Sequence, residues 1–393
     1  MNRKSVLIVL LSACALVSRG ADPFELSSSE QDALRQARQG AIVRLTQTES
    51  VRQSLPAIPV RRAVLPGPPL LFSDMPEYLH DRNGICLDEK VSAGLCRLYI
   101  YHVPGTTNSS RTVTAVLENL SSRPLTVRFT HYAFARPGTD YSVMGVEGLM
   151  QYFTGQWLPP PISVAPLGKG VLDQKLDETV AADPTLVHAL YEFDLDGPAR
   201  VCVLQRNTNQ SSTQMAGELP PLPRSIRSGA GRGLFPNADF AITNTDGSVI
   251  DTAQGVQRLV LADGASDRWV VGTDALAENR TVTNKGSYGV MYHISLAYTS
   301  SDGRSLAILI GAPGGRRGGE ARPMAAVKIS GGVWPGGWVS LSGGSPMRRR
   351  GAAAVLQVLP PPLRGTTNVL EMIYSPPGGS SLPTPIFFAP LRP

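Results

Sequence analysis

The sequence predicts an all-β protein: two antiparallel β-sandwich domains preceded by a short N-terminal helix and a Pro-rich connector. Three observations lead there. Glycine and proline are abundant, 39 and 33 among 393 residues, above their usual combined share of about 12 %. Charged residues are sparse at 17 %. From about residue 71 onward, short runs of branched and aromatic residues alternate with polar ones and are separated by Gly, Pro, Asn and Ser. The 42 % apolar content supplies material for packed cores and argues against general disorder. The length exceeds what one ordinary domain needs.

Residues 1–20 read as an export signal, in which "MNRK" is a positive n-region and "SVLIVLLSACALV" an apolar stretch short for a bilayer span. Two routes of release are open. "LSAC" at Leu11 to Cys14 has the form of a lipobox, which would place a lipid on Cys14. Ser18 and Gly20 provide small residues for ordinary cleavage before Ala21. Either route puts the mature chain outside the cytoplasm, secreted or anchored at the bacterial cell surface.

Residues 21–70 hold the helix and the connector. "SSSEQDALRQARQGAIVRLTQ" begins with serines suited to capping and places acids in the first turn, with Ala33, Leu34, Ala37, Ala41 and Leu45 on one face. The prolines of "SLPAIPVRRAVLPGPPLL" then favour extended chain. Residues 71–206 form the first sandwich, with strands at "RLYIYHV", "TVTAVLENL", "LTVRFTHYAFA" and "ARVCVLQR", and a helical interruption near "VEGLMQYFTGQW". Residues 207–232, polar and proline-bearing, read as a linker. Residues 233–393 form the second sandwich, in which Asp-Gly turns favour hairpins.

Three cysteines remain beyond the signal. "CLDEKVSAGLC" places Cys86 and Cys96 at the ends of an expected hairpin, and an oxidising compartment predicts a disulfide between them, contributing about 3 kcal/mol by loop closure. Cys202 alternates with Val201 and Val203 and reads as a buried strand thiol.

Net charge is +6, or +3 without Arg3, Lys4 and Arg19, which gives no support for nucleic-acid binding. The run Arg348, Arg349, Arg350 and the glycine-rich "GAPGGRRGGEARP" read as solvated basic loops. The five histidines show no zinc spacing, and the chain has no Gly-x-Ser-x-Gly elbow, Walker loop or CxxC. "EFDLDGPAR" offers Glu192, Asp194 and Asp196 at calcium-loop spacing, but Val203 stands where the closing acid belongs, so a strand and turn is the better reading. No cofactor and no metal are expected. In "NKGSYGVMYHISL", Val290, Tyr292, Ile294, Leu296 and Tyr298 share the core face, leaving His293 on the other. Trp334 and Trp338 flank a Pro-Gly-Gly turn, where their rings can face a sugar or an apolar partner, or cover the end of the sandwich.

The segments "LLFSDMPEYL", "VSAGLCRLYIYHV", "GTDYSVMGVEGLMQYF", "NKGSYGVMYHISL" and "PPGGSSLPTPIFFAP" together resemble a family of exported bacterial proteins often found with an N-terminal copper-amine-oxidase-like stalk domain. The resemblance covers roughly residues 70–393; the stalk is replaced here by the helix and connector. It implies no activity, and amine oxidation is not inherited because no Asn-Tyr dipeptide, needed for the oxidase's quinone, occurs. Asp140, Tyr141, Gly145, Tyr288 and Gly289 match the family pattern and read as turn and packing positions. The sequence therefore points to an extracytoplasmic structural or binding protein with no assembled catalytic site. Its ligand would be an envelope or extracellular one, a glycan or another surface protein, and contact with a membrane would run through a lipid on Cys14. The alternatives are a carbohydrate-binding protein or a polysaccharide-active enzyme using paired acids.

Overall fold

The computed structural model describes residues 23–155, 157–224, 229–311, 324–341 and 351–392. Within them the fold is all-β, with four sheets in two sandwiches. The first sandwich sets a nine-stranded sheet against a four-stranded one. The larger sheet runs β18 (Arg280–Thr283), β17 (Val271–Asp274), β13 (Arg232–Phe235), β3 (Leu70–Ser73), β6 (Gly94–Pro104), β11 (Val187–Leu195), β8 (Leu125–Phe134), β9 (Ile162–Val164), with β4 (Tyr78–His80) also on β6. Facing it are β10 (Lys169–Val171), β7 (Thr112–Asn119), β12 (Ala199–Arg206) and β5 (Gly84–Val91).

The second sandwich pairs seven strands with five. The seven are β2 (Val60–Val64), β14 (Asp239–Asn244), β19 (Met291–Thr299), β24 (Asn368–Ser375), β21 (Ala325–Ile329) and β22 (Gly337–Leu341), with β15 (Ile250–Asp251) beside β19. The five are β1 (Ile42–Arg44), β23 (Ala352–Leu359), β20 (Ser305–Gly311), β25 (Thr384–Leu391) and β16 (Gln257–Leu261).

Period-two patterning accounts for these layers. On β19 the side chains of Tyr292, Ile294, Leu296 and Tyr298 are buried and His293 is exposed, as the alternation requires. Strand β6 is buried on both faces. Leu98 and Ile100 enter the core between the first two sheets, while Tyr99, Tyr101 and Val103 join a second core that continues into the other sandwich. The two sandwiches thus share the outer face of the nine-stranded sheet.

Strands cross between the two halves of the sequence. Residues beyond 231 supply β13, β17 and β18 to the first sandwich, and residues ahead of 65 supply β1 and β2 to the second. Most pairings are antiparallel, but β3 and β4 run parallel to β6, and β14 and β15 run parallel to β19. Long connections permit this, since a parallel neighbour cannot be reached by a tight hairpin.

Helix α1 (Ser28–Gln36) starts at Ser27, whose hydroxyl accepts from the Glu30 N–H while Glu30 accepts from the Ser27 N–H, a reciprocal capping box. It ends earlier than the apolar spacing suggests: Gly40 turns the chain at φ 77°, and β1 follows. Leu34 and Leu45 still pack together, against the outer face of the five-stranded sheet. A short helix α2 (Thr46–Val51) comes next, and the proline-rich connector contributes β2, paired with β14. Three further helices are α3 (Tyr141–Thr154), where the helical interruption is expected, α4 (Gln174–Asp177) and α5 (Ser212–Glu218). Helix α5 lies in the linker segment and covers Cys202 and Leu204. No helix among the described residues is long and apolar enough to cross a membrane.

The expected Cys86–Cys96 disulfide is not formed: both are free, buried thiols. The reason is topological. Strand β5 pairs with β12 and β6 with β11, so the connection between β5 and β6 is an arch from one sheet to the other rather than a hairpin. Facing sheets stand about 10 Å apart, beyond the roughly 7 Å Cα separation a disulfide can bridge. Cys86 also lies far along β5 from the arch, whereas Cys96 lies close to it. Burial pushes the Cys96 and Cys202 thiols up to about 12 and Cys86 upward as well, so all three are held as unreactive thiols.

Candidate functional site

Four of the segments singled out in the sequence meet at one place on the outer face of the nine-stranded sheet. Helix α3 begins at Asp140, whose carboxylate accepts from the Val143 N–H at 3.2 Å, and ends at Gly155 in the left-handed conformation. Gly145 and Gly148 lie three residues apart, hence on one helix face. A Cβ on Gly145 would fall 2.0 Å from the carbonyl oxygen of Gly378, and one on Gly148 would fall 2.5 Å from His188 Nε2. The bare backbone at these two positions lets the helix settle on the 377–383 turn and on β11.

Other bonds fix the same junction. Tyr288 Oη donates to the Ser380 carbonyl at 3.0 Å, and Asn284 Nδ2 donates to the Tyr288 carbonyl at 2.8 Å. Tyr141 Oη donates to the Pro184 carbonyl at 3.0 Å. A surface cleft of about 580 Å³ opens beside the start of α3, bordered by Thr139, Asp140, Tyr141, Ser142, Gly379 and Ser381. Met324 adds an apolar edge.

Beneath the cleft lies an aromatic layer. Tyr101 stacks on Tyr99 at 6.1 Å and meets Tyr141 edge-on at 6.5 Å, and His188 packs against both Tyr99 and Tyr101. The Tyr101 hydroxyl is buried with no hydrogen-bond partner, and it would lie 2.9 Å from a Cβ on Gly379. The hydroxyl of Ser380, between the two cleft residues Gly379 and Ser381, is likewise buried and unpartnered.

Burial drives the ionisable groups of this layer toward their uncharged forms. It lifts the Asp74 carboxyl well above the usual carboxylate range, against the lowering effect of the Ala230 N–H that donates to it at 2.5 Å. Glu77 is raised by burial too, and the phenols of Tyr99, Tyr101, Tyr141 and Tyr288 are all pushed up by the same cause. His188 is lowered to about 4 by burial. Its Nδ1–H donates to the Ile100 carbonyl at 2.9 Å, which leaves Nε2 as an unpartnered acceptor.

Behind α3 is a charged network of a different kind. Arg97 donates to Asp239 at 2.6 Å and to Glu192 at 3.1 Å, and its Nε donates to Tyr152 Oη at 3.1 Å. Glu192 also accepts from Tyr152 at 2.8 Å and Thr130 at 3.1 Å, with His131 Nδ1 at 3.3 Å. Five elements are tied through it: β6, β8, β11, β14 and α3. Glu192 is thereby a structural partner of Arg97 within β11, in keeping with a strand rather than a calcium loop, and no group of metal-ligating side chains occurs among the described residues.

The two tryptophans flanking the Pro-Gly-Gly turn are separated in their contacts. Trp338 lies on β22 and stacks on Phe153 of α3 at 4.1 Å, with Lys328 Nζ 5.8 Å from its ring centre. Trp334 packs against the cluster under α1, and its backbone exchanges two hydrogen bonds with Gln357 of β23. They pack against different elements. Cys14, the Arg348–Arg350 run and residues 312–323 of the glycine-rich stretch lie outside the described residues.

Sequence reasoning assigned Asp140 and Tyr141 to turn and packing roles and passed over Tyr101 and His188. One signal was available: an Asp cap followed by two glycines on one face of a largely apolar helix marks a surface suited to close approach.

No family model matches this chain, and no curated protein matches it. Among solved structures, the CUB1-EGF-CUB2 region of human MASP-1/3 aligns at 8 % identity over 77 % of this chain and 99 % of that one, with a TM-score of 0.19. The same region of rat MASP-1 aligns at 6 % identity over 77 % and 97 %, with a TM-score of 0.18. A Bacillus subtilis oxalate decarboxylase aligns at 9 % identity over 84 % and 78 %, with a TM-score of 0.13. Similarities this low carry no argument about fold or function.

Proposed function

We propose that this chain is an exported protein of the bacterial cell envelope that works by binding, and that its ligand is received at the cleft beside the start of α3. One observation carries the reading: a cleft edged by hydroxyls and an aromatic ring lies over a buried layer of tyrosines and His188 that includes the unpartnered Tyr101 hydroxyl. Hydroxyl donors and acceptors around an aromatic floor suit recognition. Export is supported by the signal-like residues 1–20.

The competing enzyme reading requires a free acid and a free carboxylate facing one substrate. Glu192 and Asp239, two carboxylates brought together behind α3, are both engaged by Arg97. Cosedimentation of the purified mature chain with isolated envelope fragments tests the proposal. Retention should fall by about tenfold, the equivalent of roughly 1.4 kcal/mol, on Tyr141→Ala. Retention indifferent to that change, or release of sugar or peptide from the fragments with turnover, would overturn it.

A further inference from the structure

We infer that the cleft takes a neutral polyhydroxylated ligand, a saccharide unit lying against Tyr141 with its hydroxyls bonded around the rim and reaching Tyr101. The inference rests on the binding role proposed above and names its ligand class.

The rim chemistry is the first ground. Among the described residues, Thr139, Ser142 and Ser381 contribute hydroxyls that both donate and accept, Asp140 a carboxylate that accepts, and Tyr141 an aromatic ring. A sugar ring presents the matching pair of surfaces, an apolar C–H face and a belt of hydroxyls, and small-molecule sites combine apolar contact with a few placed polar groups in this way. The cleft's 580 Å³ falls inside the usual range for such sites, about 300–1,000 Å³.

Charge is the second ground. Among the described residues no lysine or arginine borders the cleft, and Asp140 is the charged group they place on its rim. A lone carboxylate already capping a helix is a poor seat for a cation, which takes several oxygen ligands.

The third ground is the Tyr101 hydroxyl, which is independent of the rim. Tyr101 is 4 % exposed, its hydroxyl is unpartnered, and it ends under Gly379, a residue of the rim with no side chain to intervene. A buried hydroxyl left without a partner is costly and uncommon in folded proteins. A ligand hydroxyl arriving past Gly379 would supply that partner, as would the neighbouring Ser380 hydroxyl if turned by the ligand.

The test is titration calorimetry of the full mature chain with soluble neutral oligosaccharides, namely cello-, xylo-, malto- and chito-oligomers, alongside oligogalacturonate, chitosan oligomers and inorganic phosphate. At least one neutral series should bind. Tyr141→Ala should weaken it by about tenfold or more and Tyr101→Phe by about three- to tenfold, the scale of one hydrogen bond. Tyr101→Phe removes a single unpartnered oxygen and should keep the fold, so it decides the matter if Tyr141→Ala fails to fold. Trp338→Ala should leave affinity unchanged. Envelope binding that depends on Tyr141 while no neutral oligosaccharide binds would overturn the saccharide inference and spare the binding role. Neutral oligosaccharide binding unaffected by either tyrosine change would overturn this site.

Discussion

Gly145 of α3 lies against Gly378 so closely that a Cβ on the first would sit 2.0 Å from the carbonyl oxygen of the second. At an exposed helix position, Gly→Ala stabilises by about 1 kcal/mol through helix propensity. Here the sign reverses, because the contact atom is backbone and cannot swing away; overpacking of this kind costs about 1–3 kcal/mol. Gly145→Ala should therefore lower the denaturant midpoint and make the 377–383 turn more susceptible to limited proteolysis. An unchanged or raised midpoint would show that the helix and the turn are not in this contact.

Glu192 illustrates how the same buried junction is held electrostatically. Burial alone would raise its pKa, but His131, Arg97 and Tyr152 bring it down from 4.5 to about 2. A carboxylate depressed on folding adds stability that is complete above the unfolded value and disappears as the pH falls through the folded one. The wild-type chain should lose on the order of 3 kcal/mol between about pH 4.5 and 2 from this group. Glu192→Gln should lack that portion of the acid limb. At neutral pH it should be destabilised by about 3 kcal/mol, since one partner of a buried pair is removed. Denaturant midpoints across that pH range measure both effects.

Much of this fold is legible in the sequence, and what escapes has a common cause. The alternation of Tyr292, Ile294, Leu296 and Tyr298 placed β19 and the exposed His293 correctly, because side-chain direction along one strand is a local property. The Ser27 cap is equally local. Which sheet a strand joins is not. Nothing in the local pattern of Gly84–Val91 and Gly94–Pro104 distinguishes a hairpin from an arch, and the disulfide expectation failed on that choice. The candidate site was hidden for the same reason. Tyr101, Asp140, His188 and Ser380 are far apart along the chain and are united only when α3 crosses the outer face of β6 and β11.

Glu89 on β5 predicts the opposite pH response from Glu192. It is 4 % exposed and accepts from the Ala275 N–H at 2.9 Å. Burial, helped by Asp274 and Asp88 and opposed by that N–H and by Arg232, raises its pKa from 4.5 to about 7. The folded chain then holds this proton more tightly than the unfolded chain. Its contribution is full below about pH 4.5 and is lost as the pH rises through about 7. Glu89→Gln keeps an oxygen for the Ala275 N–H and carries no charge to desolvate. The variant should match the wild type near pH 4 and exceed it by up to about 3 kcal/mol near pH 8. A wild-type advantage at the higher pH would show that the carboxylate is ionised there at no cost.

The three cysteines give a test that separates geometry from compartment. An oxidising exterior favours disulfides, yet Cys86 and Cys96 lie on strands of opposing sheets, and Cys202 faces α5 from the outer side of β12. All three are buried, and burial keeps each protonated well above the usual thiol range. Protein exported and purified without reductant should show no loss of paired hydrogens from these cysteines by mass spectrometry. Iodoacetamide should label none of them until denaturant is added, and dithiothreitol should leave the denaturant midpoint where it was. A Cys86–Cys96 bridge would instead make the midpoint fall on reduction, by the equivalent of about 3 kcal/mol for a loop of this size. Such a fall would mean that β5 and β6 approach as a hairpin, and with it the pairing of β6 to β11 that positions Tyr101 beneath the cleft would be overturned.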